Sequence, residues 1–179
     1  LRSAGDQGIG DFTTLARLAR AASREGAATV GINPLHMMFP HQRERASPYH
    51  PSDRRFLDPI YLDVGDGPDA GTGSPMPPAG DLVAYSAVWA RKLAILERRF
   101  AALDRTGPIA AELHRFIGAS GSALAQFATF QAIADTRPGS DWHDWPAELR
   151  SPDSHAVAAF ARAHPDRVLF HQFLQFLAD

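Results

Sequence analysis

The residues best suited to chemistry lie in three short groups: Gly8-Ile9-Gly10-Asp11-Phe12, Asn33-Pro34-Leu35-His36, and the run from Ser47-Pro48-Tyr49-His50-Pro51 through Ser52-Asp53-Arg54-Arg55-Phe56-Leu57. The third group sets two prolines, a tyrosine and paired arginines just after a short apolar run. Proline narrows the range of a loop, and tyrosine offers a flat apolar face with a polar tip, so this combination suits a polar, ring-shaped ligand. Other chemistries fit the chain poorly. Glycines at a helix start can cradle phosphate. Here, however, Gly8-Ile9-Gly10 has no third glycine of the dinucleotide fingerprint, no Walker lysine after it and no strand before it. His36, His41 and His50 are spaced so that no pair shares a helix face in the manner of His-Glu-x-x-His, which argues against a metal centre. The absence of cysteine excludes disulfides, thiolate metal sites and a thiol nucleophile.

Bulk properties point the same way. A chain of 179 residues, 45% hydrophobic and 21% charged, has the composition of a globular protein of one domain or two small ones. The net charge of -2 and pI near 6.5 give no broad attraction to nucleic acid or to an anionic membrane, despite the local cluster of Arg43, Arg45, Arg54 and Arg55. A neutral or weakly polar substrate fits better. Charged residues interrupt every apolar stretch well short of the roughly 20 residues a bilayer requires, so no transmembrane span is expected.

The elements that must position these groups follow from periodicity. Leu15, Leu18, Ala19 and Ala22 recur at helical spacing behind a cap at Asp11 or Thr13, with Gly26 as a stop, and predict a helix over about 13–25. Ala27 to Ile32 is an apolar run ended by Asn33-Pro34, which predicts a strand buried on both faces, as in a parallel sheet flanked by helices. The opening is thus a piece of an α/β unit. A second strand is expected around Ile60-Tyr61-Leu62, and the Gly/Pro-rich stretch 65–80 reads as a linker.

Beyond it the pattern is helical. Trp89, Leu93, Leu96 and Phe100 predict the longest helix, ended by Thr106-Gly107-Pro108. Ile109 to Ile117, Ser122 to Asp135 and a segment capped by Asp153 or Ser154 predict three more. A last helix carries Phe170, Phe173, Leu174 and Leu177 at i, i+3, i+4 and i+7, and meets no stop signal before Asp179. An opening at Leu1 and an uncapped last helix suggest a segment cut from a longer chain.

With these motifs in order, the chain resembles the amino-terminal part of the 4-α-glucanotransferases (amylomaltase or disproportionating enzymes) of glycoside hydrolase family 77. Leu1-Arg2-Ser3, Gly8 to Phe12, Gly31 to His36, Ser47 to Leu57, Tyr85 to Val88, Trp142 to Pro146 and Val168 to Asp179 carry the resemblance. It implies an α/β fold: an incomplete (β/α)8 TIM barrel, contributed by residues 1–64, with a mostly α-helical insertion over 81–179 that shapes a sugar groove. Barrel enzymes work at the carboxyl ends of their strands, which is where the loop Leu35 to Leu57 would lie. A barrel takes about 250 residues, so 179 residues cannot close one.

The family's reaction is retaining transglycosylation, which needs two carboxyls about 5 Å apart across the scissile bond. The resemblance puts the family's reactive carboxylates on later barrel strands, beyond Asp179, so none of Asp11, Glu44, Asp53 or Asp58 is expected to be catalytic. The implied partner is a maltooligosaccharide or α-1,4-glucan, with no cofactor, no nucleic acid and no membrane, in the cytoplasm.

The family's Ser-Pro-Tyr tyrosine lines the donor sugar site, which falls on Tyr49 with Ser47 beside it. The remaining substrate-binding candidates are His36, Asp11 and Arg54, and each has a structural alternative. His36 could be a packed histidine, Asp11 a helix cap, and Arg54, like Arg55, a loop brace. Departures from the family are Gln7 where many members have Trp, His50 and Asp53 where they have Ser, and Asp58 where they have Asn. Asp53 should pair with the arginines inside its own loop. The competing non-enzyme interpretation is a helical interaction module over 81–179, presenting Phe170, Phe173 or Phe176 to a protein partner.

Overall fold

The computed structural model describes residues 6–65 and 82–179. Leu1-Arg2-Ser3 and nearly all of the stretch 65–80 lie outside the described residues. The chain divides into two compact units, the first built mainly from Leu1–Met38 and Arg43–Arg98, the second mainly from Phe39–Gln42 and Arg99–Leu177.

In the first unit, helix α1 spans Phe12–Arg24 and is capped by Asp11, whose Oδ1 accepts from Thr14 N at 2.6 Å. That bond satisfies one of the donors every helix start leaves open. Gly26, at φ 89°, follows the end of the helix in the left-handed conformation that favours glycine. The apolar run that follows is not the buried strand its composition suggests. Residues 27–35 form no ladder, and Val30 and Ile32 are exposed at 37% and 54%. A strand exists only where a neighbouring strand takes its N–H and C=O groups in a ladder, and among the described residues no strand pairs with this run.

The only sheet among the described residues pairs β1, His36–Met37, with β2, Asp53–Leu57, antiparallel and with an irregular register between His36 and Met37. It arises inside the segment expected to be all loop. Ser52 N donates to Met37 O (2.7 Å) and Asp58 N to Leu35 O (2.9 Å), closing both ends of the pair. Ile60-Tyr61-Leu62 is also not a strand: Pro59–Tyr61 is a short 3-10 turn. Pro59 presets φ at its start, and the Asp58 side chain accepts from Ile60 N at 2.9 Å. Helix α2, Tyr85–Ala101, buries Val88, Lys92, Ile95 and Leu96 along one face. Ile9, Met38, Ile60 and Val88 make the core of this unit.

The second unit is helical. Helix α3, Pro108–Asp135, is broken at Gly121 (φ 61°, ψ -147°), so it is two helices in the positions the periodicity assigns, and α2 remains the longest uninterrupted one. Helix α4, His155–Ala163, is capped by Ser154, and α5 runs over Pro165–Ala178. Phe100 meets Phe170 edge-on at 5.3 Å and Phe173 at 5.5 Å, and Phe116 packs on Phe176 at 5.9 Å. Phe170 and Phe173 are buried at 1% and 4% exposure, so the aromatic stripe is core. The interaction-module interpretation required that stripe to face solvent. No helix among the described residues is long and apolar enough to cross a membrane.

Asp135 ties α3 to α5, accepting from Arg167 Nε at 2.5 Å and from His171 Nε2 at 2.6 Å. Burial alone would raise its carboxyl, but the bonds and charges of His171 and Arg167 override it and hold the group below its ordinary value. A depressed folded pKa gives stability that is present above the unfolded value near 4 and lost as pH falls through the folded one. Asp135→Asn should therefore cost about 1–2 kcal/mol at pH 7. Urea unfolding at pH 7 and pH 3 should show the gap between variant and parent closing in acid.

Candidate functional site

The loop between β1 and β2 carries the candidate site. His50 N donates to Ser47 O (3.2 Å), which makes Ser47 to His50 a turn with Pro48 in its second position, where proline's fixed φ is favoured. Tyr49 occupies the tip, 67% exposed. Among the described residues nothing hydrogen-bonds its hydroxyl, so both the ring face and the polar end are open to a ligand. Ser47 beside it is half-buried.

The base of this loop is held by a buried charge cluster that local sequence patterns do not reveal. Asp58 is wholly buried; its Oδ2 accepts from Met38 N (2.9 Å), its Oδ1 from Ile60 N (2.9 Å), and both oxygens accept from Arg43 Nη1 at 2.7 Å. Arg43 is 5% exposed and lies over the Trp89 ring, with Cζ 4.3 Å from the centroid. Its Nε and Nη2 are buried without a hydrogen-bond partner. Next to it, Glu44 Oε1 accepts from Ser86 N (2.8 Å) in the first turn of α2, and the bonds from Ser86 pull the Glu44 carboxyl below its usual value. Lys92, likewise unforeseen, donates to Ile60 O (2.8 Å) and Leu62 O (2.7 Å).

The carboxylates near the loop are thus all engaged in structure. Asp11 caps α1, Glu44 caps α2, and Asp58 holds Arg43. Asp53 pairs with Arg55 through Nε (3.1 Å) and Nη2 (2.7 Å), the intraloop pair expected from the sequence. Partial burial would raise the Asp53 carboxyl, but its bonds from Arg55, the Arg55 charge and nearby His36 lower it. Gln7, one of the departures from the family, bonds Asp63 Oδ1 (2.6 Å) and accepts from Val64 N (3.0 Å), which ties the first glycine turn to the segment after Tyr61.

A cleft of about 490 Å³ opens in the first unit, lined by Ile9 to Asp11, Leu15 and Leu18 on one side, Gly31 to Asn33 and Leu35 on another, and Tyr61, Val83 and Tyr85. Burial pushes the Tyr61 phenol up to about 12. Of the five substrate-binding candidates only Asp11 lines this cleft. Tyr49 and Ser47 share the turn, His36 sits half-buried on β1, and Arg54 is exposed on β2. No set of three or more His, Cys, Asp or Glu residues that could hold a metal ion occurs among the described residues.

The 4-alpha-glucanotransferase family, glycoside hydrolase family 77, matches the chain over residues 1–179. The 4-alpha-glucanotransferase of Mycobacterium tuberculosis is 37% identical over 202 residues, covering 100% of this chain and 27% of its own length. That of Haemophilus influenzae is 30% identical over 208 residues, covering 100% and 30%. The crystal structure of amylomaltase from Corynebacterium glutamicum superposes with a TM-score of 0.72 at 27% identity, over 100% of this chain and 25% of that one. The chain therefore spans little more than a quarter of the length of these relatives.

Proposed function

Since the chain belongs to the glycoside hydrolase family 77 4-alpha-glucanotransferases, we propose that it is part of an enzyme that moves α-1,4-glucan segments between maltooligosaccharides by retaining transglycosylation. These 179 residues supply substrate contacts and no catalytic carboxylate, and are inactive alone. Transglycosylation of this kind needs an aspartate or glutamate nucleophile and a second carboxyl about 5 Å away. Asp11, Glu44, Asp53 and Asp58 are each committed to a cap or a cation.

In this proposal residues 1–64 form the opening of a (β/α)8 barrel, 65–80 a linker and 81–179 a helical insertion. The exposure of Leu18, Val30 and Ile32 supports the barrel assignment, because a barrel strand and its helix bury such side chains against neighbouring elements. Tyr49 is the platform for a donor glucosyl ring, with Ser47 beside it. His36, Asp11 and Arg54 are the secondary candidates for sugar hydroxyls. A cytoplasmic location accords with a glucan substrate.

The observation that carries the proposal is Tyr49 itself, a large aromatic held 67% exposed on a proline-stiffened turn. An exposed tyrosine face is suited to a sugar ring, which presents apolar C–H edges and polar hydroxyls together. Tyr49→Ala in the full-length polypeptide containing these residues should weaken maltooligosaccharide binding by about tenfold, roughly 1.4 kcal/mol. Titration calorimetry with maltotriose reads this directly, and an unchanged affinity would overturn the role of Tyr49.

A further inference from the structure

We propose that the buried Arg43–Asp58 pair, stacked on Trp89, is a positioning device that fixes Tyr49 for glucan binding. The inference rests on Tyr49 as a sugar contact. Tyr49 lies on a segment pinned at both ends. Upstream, Arg43 rests on the Trp89 face and Glu44 bonds Ser86 N, anchoring two consecutive residues to α2. Downstream, Ser52 N bonds Met37 O, and Met38 N bonds Asp58, which holds Arg43 in turn. The free span between the two anchors is short and contains Pro48 and Pro51. Little conformational entropy is then left to lose when a sugar settles on the ring, which is how preorganisation raises affinity.

The charge of the pair is essential to this arrangement. An asparagine at position 58 could still accept from a backbone N–H, but it could not hold a guanidinium at 2.7 Å as a counter-ion. Two of the Arg43 nitrogens already lack partners, so the carboxylate and the indole face are what keep the cation in place. Neither residue touches the ligand in this scheme. Each acts on Tyr49 through the backbone between them.

A pair that only stapled the fold would affect sugar binding no more than stability, and the two effects separate in a three-variant test on the full-length polypeptide. Asp58→Asn strands a buried cation and should lower the thermal midpoint as well as raise the KM for maltotriose. The double variant Arg43→Met/Asp58→Asn removes both charges, so its midpoint should recover. Its KM should stay at least about tenfold above the parent, with kcat changed far less, because the anchor is gone. Arg43→Lys, which keeps the charge and loses the planar stack, should fall between.

A double variant with parental KM would overturn the proposal even if Asp58→Asn alone fails to fold. Tyr49→Ala run beside it separates the two ideas. A raised KM for Tyr49→Ala with a parental KM for the double variant sinks only the positioning role, whereas no effect of Tyr49→Ala removes the sugar contact and the positioning role with it.

Discussion

Phe170→Ala is expected to destabilise the protein by about 3–5 kcal/mol, the range for truncating a fully buried phenylalanine. The side chain is 1% exposed, meets Phe100 edge-on at 5.3 Å, and carries the Arg167 guanidinium over its face at 4.6 Å. Its loss removes apolar burial, an aromatic pair and a cation–π contact together, and close-packed surroundings relax only partly into such a gap. Leu177→Ala, on the same helix at 38% exposure, should stay within about 1 kcal/mol. Urea unfolding of both variants tests the division between core and surface. Equal, small effects would return Phe170 to the surface stripe that a protein-interaction module needs.

The helices were the legible part of the fold because their causes are local. Asp11 and Ser154 cap where capping residues precede an apolar period, Gly26 follows α1 in a conformation that favours glycine, and Pro108 both closes off the preceding run and opens α3. The strands are less legible because their causes are not local. Ala27 to Ile32 has the composition of a buried strand, yet a strand is made by its partners, and none is present among the described residues. Asp53–Leu57 reads Asp-Arg-Arg-Phe-Leu, with little alternation, and becomes a strand only because Met37 and Leu35 accept the bonds that frame it. At Ile60 the preset φ of Pro59 and the Asp58 cap outweighed the apolar signal of three residues.

Within the site, the same distinction holds. The exposure of Tyr49 could be read from the prolines around it, and the Asp53–Arg55 pair from a spacing of two residues. Arg43 and Asp58 meet across 15 positions, and Arg43 stacks on a helix that begins more than 40 residues later, so no spacing rule relates them. The sequence directed attention to Arg54 and Arg55 as loop braces. Arg54 is exposed, and the buried brace is Arg43.

Lys92, unforeseen from the sequence, carries the other large prediction, although a signal for it exists. It is the one lysine in a chain whose other cationic side chains are arginines, and it falls four residues after Val88 and three before Ile95, on the buried stripe of α2. Burial pushes its ammonium down to about 8 even though Asp11, Asp63, Asp6 and Asp58 all pull upward. Between pH 8 and the unfolded value near 10.5 the unfolded chain binds a proton that the folded chain does not, so stability rises with pH across that window. The gain from pH 7 to pH 10 should be about 2 kcal/mol, with each pKa unit worth about 1.4. Above pH 10 the raised Tyr61 phenol works in the opposite sense, since the folded state then holds the extra proton.

Lys92→Met separates the two halves of this effect. At pH 7 it relieves a buried charge but leaves the carbonyls of Ile60 and Leu62 without their donor, two opposing costs of about 2–3 kcal/mol that largely offset. At pH 10 the relief has vanished and the stranded carbonyls remain, so the variant should trail the parent by about 2 kcal/mol more than at pH 7. Arginines do not titrate in this range, and the tyrosines and histidines are common to parent and variant, so the difference between their urea-unfolding profiles at pH 7, 8, 9 and 10 reads Lys92. Parallel profiles for parent and variant would mean that the ammonium keeps its ordinary affinity for a proton inside the unit. The two carbonyl bonds would then hold it without a desolvation penalty, and the attachment of α2 to the segment after Asp58 would be independent of pH.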